Sequence, residues 1–204
     1  MRKNLFNVVA GLFVVMTLGL AGCGSDGGGT QNNTYLPVTV DSAWSYNNGA
    51  RTEKITATTN NQITREVVTG TGKSVAVETV GNNAFYLTSR ETYDTSGNKT
   101  ATITYNPAPG MLFIPSSTTP GTHETQTVQI TAQPANTTSS LTQDITVVGF
   151  ENITTPAGTF SNALKIQTVI DNKTYQSWFA LHVGMIRQDV NNTTAFELTS
   201  YSIK

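Results

Sequence analysis

Asn162-Ala163-Leu164-Lys165-Ile166-Gln167-Thr168-Val169-Ile170 alternates in character along its length. Leu164, Ile166, Thr168 and Ile170 fall on one face of an extended chain, with Lys165 and Gln167 on the other. Successive strand side chains point to opposite faces, so this period marks a strand with one buried and one wet face, as in antiparallel sheets. Asp171-Asn172-Lys173 ends it with a turn signal. The same alternation recurs in Lys73–Val80, Thr100–Tyr105 and Thr127–Thr131. Asn-Asn pairs at 47–48, 60–61, 82–83 and 191–192, and Ser96-Gly97-Asn98, separate such runs. Asn tolerates the left-handed backbone that tight hairpins need. Abundant Thr, with Val, Ile and Tyr, suits a pleated surface.

Working outward, this pattern predicts about eleven to thirteen strands. They are Tyr35–Val40, Trp44–Asn47, Arg51–Thr59, Gln62–Thr69, Lys73–Val80, Ala84–Thr92, Thr100–Asn106, Glu124–Ala132, Leu141–Ile153, Phe160–Ile170, Lys173–Ala180, Gly184–Asp189 and Thr194–Ile203. No amphipathic helix follows Tyr35. The expected class is all-β: a large curved antiparallel sheet or half-open barrel, with a two-sheet β-sandwich as the alternative. Asn106 to Pro120 breaks the rhythm. Its prolines bracket Met111-Leu112-Phe113-Ile114, and proline cannot donate to a ladder, so the segment reads as a crossing loop or an edge. The apolar tetrad then plugs one end of the core or forms the lip of a ligand opening.

The start of the chain gives an address. Arg2 and Lys3 precede an uncharged apolar run from Leu5 to Leu20, too short for a membrane span of roughly 20 residues. Leu20-Ala21-Gly22-Cys23 follows and resembles the lipobox of bacterial lipoproteins. That resemblance implies lipid on the Cys23 thiol, cleavage between Gly22 and Cys23, and acylation of the new amino group. Residues 1–22 are then a signal peptide. Residues 23–34 are the lipidated cysteine and a Gly-rich tether without apolar residues, reaching roughly 18 Å as flexible coil. One β domain occupies 35–204. Cys23 is the only cysteine, so the domain has no disulfide. By the family pattern, Gly24 in place of an Asp after the cysteine points to the outer membrane. The expected partner is the membrane, through the anchor, and the domain is expected to be monomeric.

Composition excludes more chemistry than it suggests. Losing Arg2 and Lys3 with the leader leaves the mature chain mildly acidic, with no basic stripe, so nucleic-acid binding has no electrostatic support. Gly27-Gly28-Gly29 lacks the Lys-Ser/Thr of a phosphate loop. His123-Glu124 starts like a zinc motif, but Thr127 stands where the second histidine belongs, and His182 is alone. No Gly-x-Ser-x-Gly elbow is present. Glu53 with Glu66, and Glu78 with Glu91, have the residue types of glycosidase pairs. Their polar neighbours instead place all four on wet faces. Asn136-Thr137-Thr138 and similar triplets reflect the Asn and Thr content. No catalytic residue, metal site or cofactor is expected beyond the lipid on Cys23.

Three groups of fragments carry a wider resemblance. Tyr35-Leu36-Pro37-Val38 precedes Ala43-Trp44-Ser45-Tyr46. Thr155-Pro156-Ala157-Gly158-Thr159-Phe160 leads into Asn162-Ala163-Leu164-Lys165-Ile166. Trp178-Phe179-Ala180 precedes Val183-Gly184-Met185-Ile186-Arg187. Together they resemble bacterial lipoproteins of unknown function with a Pro-Ala-Gly-Thr-Phe…Ala-Leu-Lys pattern. The likeness spans most of the mature domain and is most specific from Val147 to Arg187. It implies, remotely, the half-open barrel of Lol-type lipoprotein carriers. Asp41-Ser42 replaces a Gly-Asn of the pattern, and Leu181-His182 replaces a Pro-Gly. Without the family, Pro156-Ala157-Gly158 reads as a tight turn.

Two functions follow as expectations. The first is a non-enzymatic envelope protein acting as a scaffold or interaction module around a filled core. The alternative is binding or chaperoning of a lipid, acyl chain or lipoprotein in an apolar groove lined by Trp44, Tyr46, Phe85, Phe113, Trp178 and Phe179. A cavity of several hundred Å³ distinguishes the second from the first.

Overall fold

The computed structural model describes residues 35–204; Gly22, Cys23 and the rest of the leader and tether lie outside them. Thirteen strands follow in order: β1 (Ala43–Tyr46), β2 (Arg51–Thr59), β3 (Gln62–Thr69), β4 (Gly72–Gly81), β5 (Ala84–Tyr93), β6 (Lys99–Asn106), β7 (Met111–Ile114), β8 (His123–Gln133), β9 (Thr137–Thr155), β10 (Gly158–Ile170), β11 (Lys173–Ala180), β12 (Gly184–Val190) and β13 (Thr193–Ser202). Among the described residues the only helical element is the single 3₁₀ turn Asn47–Gly49.

All pairings are antiparallel and belong to one sheet. Its order is β4-β3-β2-β1-β13-β12-β11-β10-β9-β8-β6-β5, and β4 also pairs with β5 from Lys73↔Tyr93 to Gly81↔Ala84. Twelve strands therefore close a ring, a barrel with β7 as an extra strand on β5. Closure removes the free edges that an open sheet would present. The two-sheet sandwich does not form.

Local chemistry explains the hairpins. Both central residues have positive φ at Asn82-Asn83 (51° and 61°), Asp171-Asn172 (48° and 62°) and Asn191-Asn192 (49° and 64°). That is the tight two-residue turn whose twist matches the flanking strands. The two departures from the resembled pattern also adopt left-handed backbone: Asp41 has φ 69° and His182 has φ 61°.

Two expected elements differ. Tyr35–Val40 forms no strand. Pro37 cannot donate to a ladder, and Leu36 instead drops into the core. Met111–Ile114, expected as a crossing loop or an edge, is a strand, with Leu112 and Ile114 in the core. It resumes the direction of β6 along the same edge of β5, after a detour through Pro107 and Pro109. The detour returns to β5 at Gly110, where a Cβ would collide with the Leu87 carbonyl oxygen, so only glycine fits.

The core concentrates at the end of the barrel holding the β4–β5, β9–β10 and β11–β12 turns. Phe85, Ile114, Ile145, Leu164, Ile166, Ile186 and Leu198 are fully buried there and in the barrel's middle. Toward the opposite end, Arg51, Arg90, Ile170, Tyr175 and Gln188 are only half-buried. The interior is closed at one end and reaches solvent at the other.

Candidate functional site: a two-toned cavity inside the barrel

The barrel encloses a cavity of about 380 Å³. Five of the six aromatic residues expected in a groove line it: Trp44, Tyr46, Phe85, Phe113 and Phe179. Their polar tips are engaged by the wall. The Trp44 indole N–H donates to the Val183 carbonyl, and the Tyr46 hydroxyl donates to the Met185 carbonyl at 2.9 Å. Burial, and secondarily the Glu53 charge, raises the Tyr46 phenol well above its ordinary value. Phe113 meets Phe179 edge to face, with centroids 5.6 Å apart. Leu36, Leu112 and Ile166 complete an apolar region.

Trp178 is a correction. It is buried, but on the outer face of β11, because its neighbour Phe179 points inward and adjacent strand residues face opposite ways. Its cross-strand partners Lys165 and Arg187 bring cations within 4.9 and 5.2 Å of its ring. Its indole N–H donates to Glu151 Oε2 at 3.0 Å. That bond and one from Lys165 hold the Glu151 carboxyl below the usual carboxylate range.

The stretch of wall on β2, β3 and β4, next to Trp44, is charged. Glu53 and Glu78 face inward, contrary to their expected place on wet faces, whereas Glu66 and Glu91 pair with Lys73 and Lys99 outside. Glu53 therefore faces away from Glu66, and Glu78 away from Glu91, as the dismissal of both as glycosidase pairs requires. Glu53 is tolerated inside because Arg51 reaches it at 2.7 Å and Arg65 at 3.4 Å. Both Glu78 oxygens accept from Arg65, at 2.9 and 3.1 Å. A buried ion pair survives when good geometry offsets desolvation. For Arg65, burial works to lower the pKa, and the Glu78 and Glu53 charges outweigh it, so the guanidinium stays protonated. Its carbon also sits 4.9 Å from the Trp44 ring, joining the charged and aromatic regions.

Arg90 is the third guanidinium on the cavity wall. It points inward because of a bulge. Val77 pairs with Ser89 and Glu78 with Leu87, leaving Thr88 as the extra residue of β5. The bulge resets the alternation, so Leu87 and Arg90 share the inner face with Ala76 and Glu78. Sequence alternation from Phe85 alone would put Arg90 outside.

One stretch of wall lacks a ladder. β8 pairs with β6 through Asn106↔Gln129 and then diverges from β7. Two amide side chains fill the seam. Gln126 accepts from the Leu112 N–H at 2.8 Å and donates to the Gly110 carbonyl at 2.9 Å. Gln143, almost wholly buried, donates to the Leu112 carbonyl and to Gln126 Oε1, both at 2.9 Å. These amides do for β7 what strand N–H and C=O groups do elsewhere. Sequence reasoning did not identify the three arginines or either glutamine, since charge and amide groups read as surface.

Among the described residues, no group of three or more His, Cys, Asp or Glu could hold a metal ion. His123 and His182 are exposed, and His123 lies 3.8 Å from Asp144.

A search of curated proteins and one of solved structures gave no match. A family model described as DUF3108-like matches residues 82–203, which run from the β4–β5 turn to just past the end of β13. The match covers more than half of the chain, including most of the cavity wall, and the chain therefore belongs to the DUF3108-like family.

Proposed function

We propose that this chain is a lipid-anchored envelope lipoprotein whose barrel binds an apolar or amphiphilic ligand without chemical conversion. The observation that carries the binding reading is the cavity of about 380 Å³ with an aromatic and aliphatic wall. Ligand pockets have volumes of this order and are lined mainly by apolar groups with a few fixed polar ones. A scaffold with a filled interior, as in small barrels, would leave no such space. Both interior carboxylates are tied to guanidiniums, which suits a binding wall better than general acid–base work. The lipobox at Leu20–Cys23 supports an anchor, and Gly24 supports the outer membrane.

Mass spectrometry tests both halves. Membrane-extracted protein should begin at Cys23 and carry acyl mass. Native spectra of the protein should show a further noncovalent adduct of lipid size that organic extraction removes. Retention of residues 1–22 contradicts the anchor, and a protein free of adducts after gentle extraction counts against the ligand.

A further inference from the structure

We propose that the cavity holds an anionic amphiphile, its acidic head on Arg90 and its chain against Phe85, Phe113 and Phe179; this rests on the ligand-binding reading above. The charge count of the wall is the first support. Arg51, Arg65 and Arg90 line the cavity with Glu53 and Glu78 as the only carboxylates among its lining residues, leaving one positive charge over. Those carboxylates are engaged by Arg51 and Arg65. The second support is Arg90 itself. Its Nε is buried and, among the described residues, has no hydrogen-bond partner. Its cross-strand neighbours, Ala76 and Ile103, have no side-chain acceptor. Nearby Tyr105 feels the Arg90 charge, which works against the upward push of burial on its phenol.

A buried donor without a partner is costly. A guanidinium offers a planar fork matched to carboxylate or phosphate. An anion at Arg90 would satisfy the Nε–H and neutralise the excess charge. The position of Arg90 suits a head group, because it lies toward the end of the barrel that reaches solvent, while Phe85 and Phe179 lie deeper. A bulge that costs ladder regularity places this one side chain inward.

The test is displacement of a fluorescent fatty acid from the purified, delipidated protein by palmitate, hexadecyl phosphate, hexadecanol and inorganic phosphate. Palmitate or hexadecyl phosphate should compete at least about tenfold better than hexadecanol, the scale of one charge-assisted hydrogen bond. The better of the two identifies the head as carboxylate or phosphate. Inorganic phosphate should fail. Arg90→Gln should abolish the preference while hexadecanol binding persists, and Arg90→Lys should keep part of it. Equal competition by palmitate, hexadecyl phosphate and hexadecanol, or an unchanged preference in a folded Arg90→Gln protein, overturns the proposal and leaves apolar binding intact. Competition by inorganic phosphate at the same concentrations would mean a free-anion site and also overturns it. No uptake of the probe at all defeats the ligand-binding reading along with it. The comparison on the native protein decides even if Arg90→Gln does not fold.

Discussion

At the scale of single residues, the interior depends on Arg65. Among the described residues it is the side chain that pairs with both Glu53 and Glu78, and it is buried to 6 % exposure. Removing one partner of a buried ion pair costs more than removing all of it, because the remaining charge is stranded. Arg65→Met should therefore destabilise by about 3–5 kcal/mol in denaturant unfolding. Adding Glu78→Gln to it should recover part of the loss, and a double variant weaker than the single one would refute the pairing. Glu151 on the outer face tests electrostatics with a definite sign. Trp178 and Lys165 hold its pKa down in the folded protein. Its stabilising effect is then fully present above the ordinary carboxylate value of about 4 and is lost as pH falls through the lower folded value. Unfolding midpoints at pH 7 and at pH 3 should fall further apart for the native protein than for Glu151→Gln. Equal falls would show that the Trp178 bond does not stabilise the charge. Residue identity alone revealed neither site. Glu53 and Arg65 read as surface because a charge is assigned inside only when its partners are known, and those partners lie on other strands.

At the scale of elements, period-two alternation located most strands, because a barrel wall has one face in and one face out. It was weaker on phase. In β4 the buried residues are Ala76 and Val80, with Glu78 on the cavity, while Val75 and Val77 are only half-buried. Hydropathy favours the other face, and the network around Arg65 decides the matter. Bulges were illegible for a related reason. A register slip at Thr88 depends on how β5 meets β4, which no window of one strand contains. β7 was hidden because its prolines and Gly110 are turn signals, and its hydrogen bonds on one side come from glutamine side chains. Gln143→Leu should test that seam. It removes donors to the Leu112 carbonyl and to Gln126, leaving buried acceptors short, and should cost roughly 1–3 kcal/mol. Amide exchange at β7 should accelerate more than at β10. A uniform change across the barrel would indicate a general packing defect rather than a local seam.

At the scale of the whole molecule, twelve strands closed into a ring set the question of function. Ring closure pairs most strands on both sides, and the side chains that turn inward line a cavity. That interior is aromatic toward the closed end and charged toward the end that reaches solvent, with Arg65 over Trp44 at the boundary. Most strands were legible beforehand, Tyr35–Val40 and β7 excepted, and five of the six candidate aromatic residues line the cavity. The hollow was not legible, since whether side chains fill a barrel depends on its circumference and on which residues turn inward. The most direct test of the central claim is a titration of the delipidated protein with a fluorescent fatty acid, repeated with Phe113→Asp. The native barrel should take up the probe saturably at micromolar concentration, and the variant should bind at least about tenfold more weakly with an unchanged far-ultraviolet circular dichroism spectrum, because Phe113 lines the cavity without being fully buried. Absence of saturable uptake by the native protein, together with unfolding of the Phe113→Asp variant, would contradict the account and indicate a filled core.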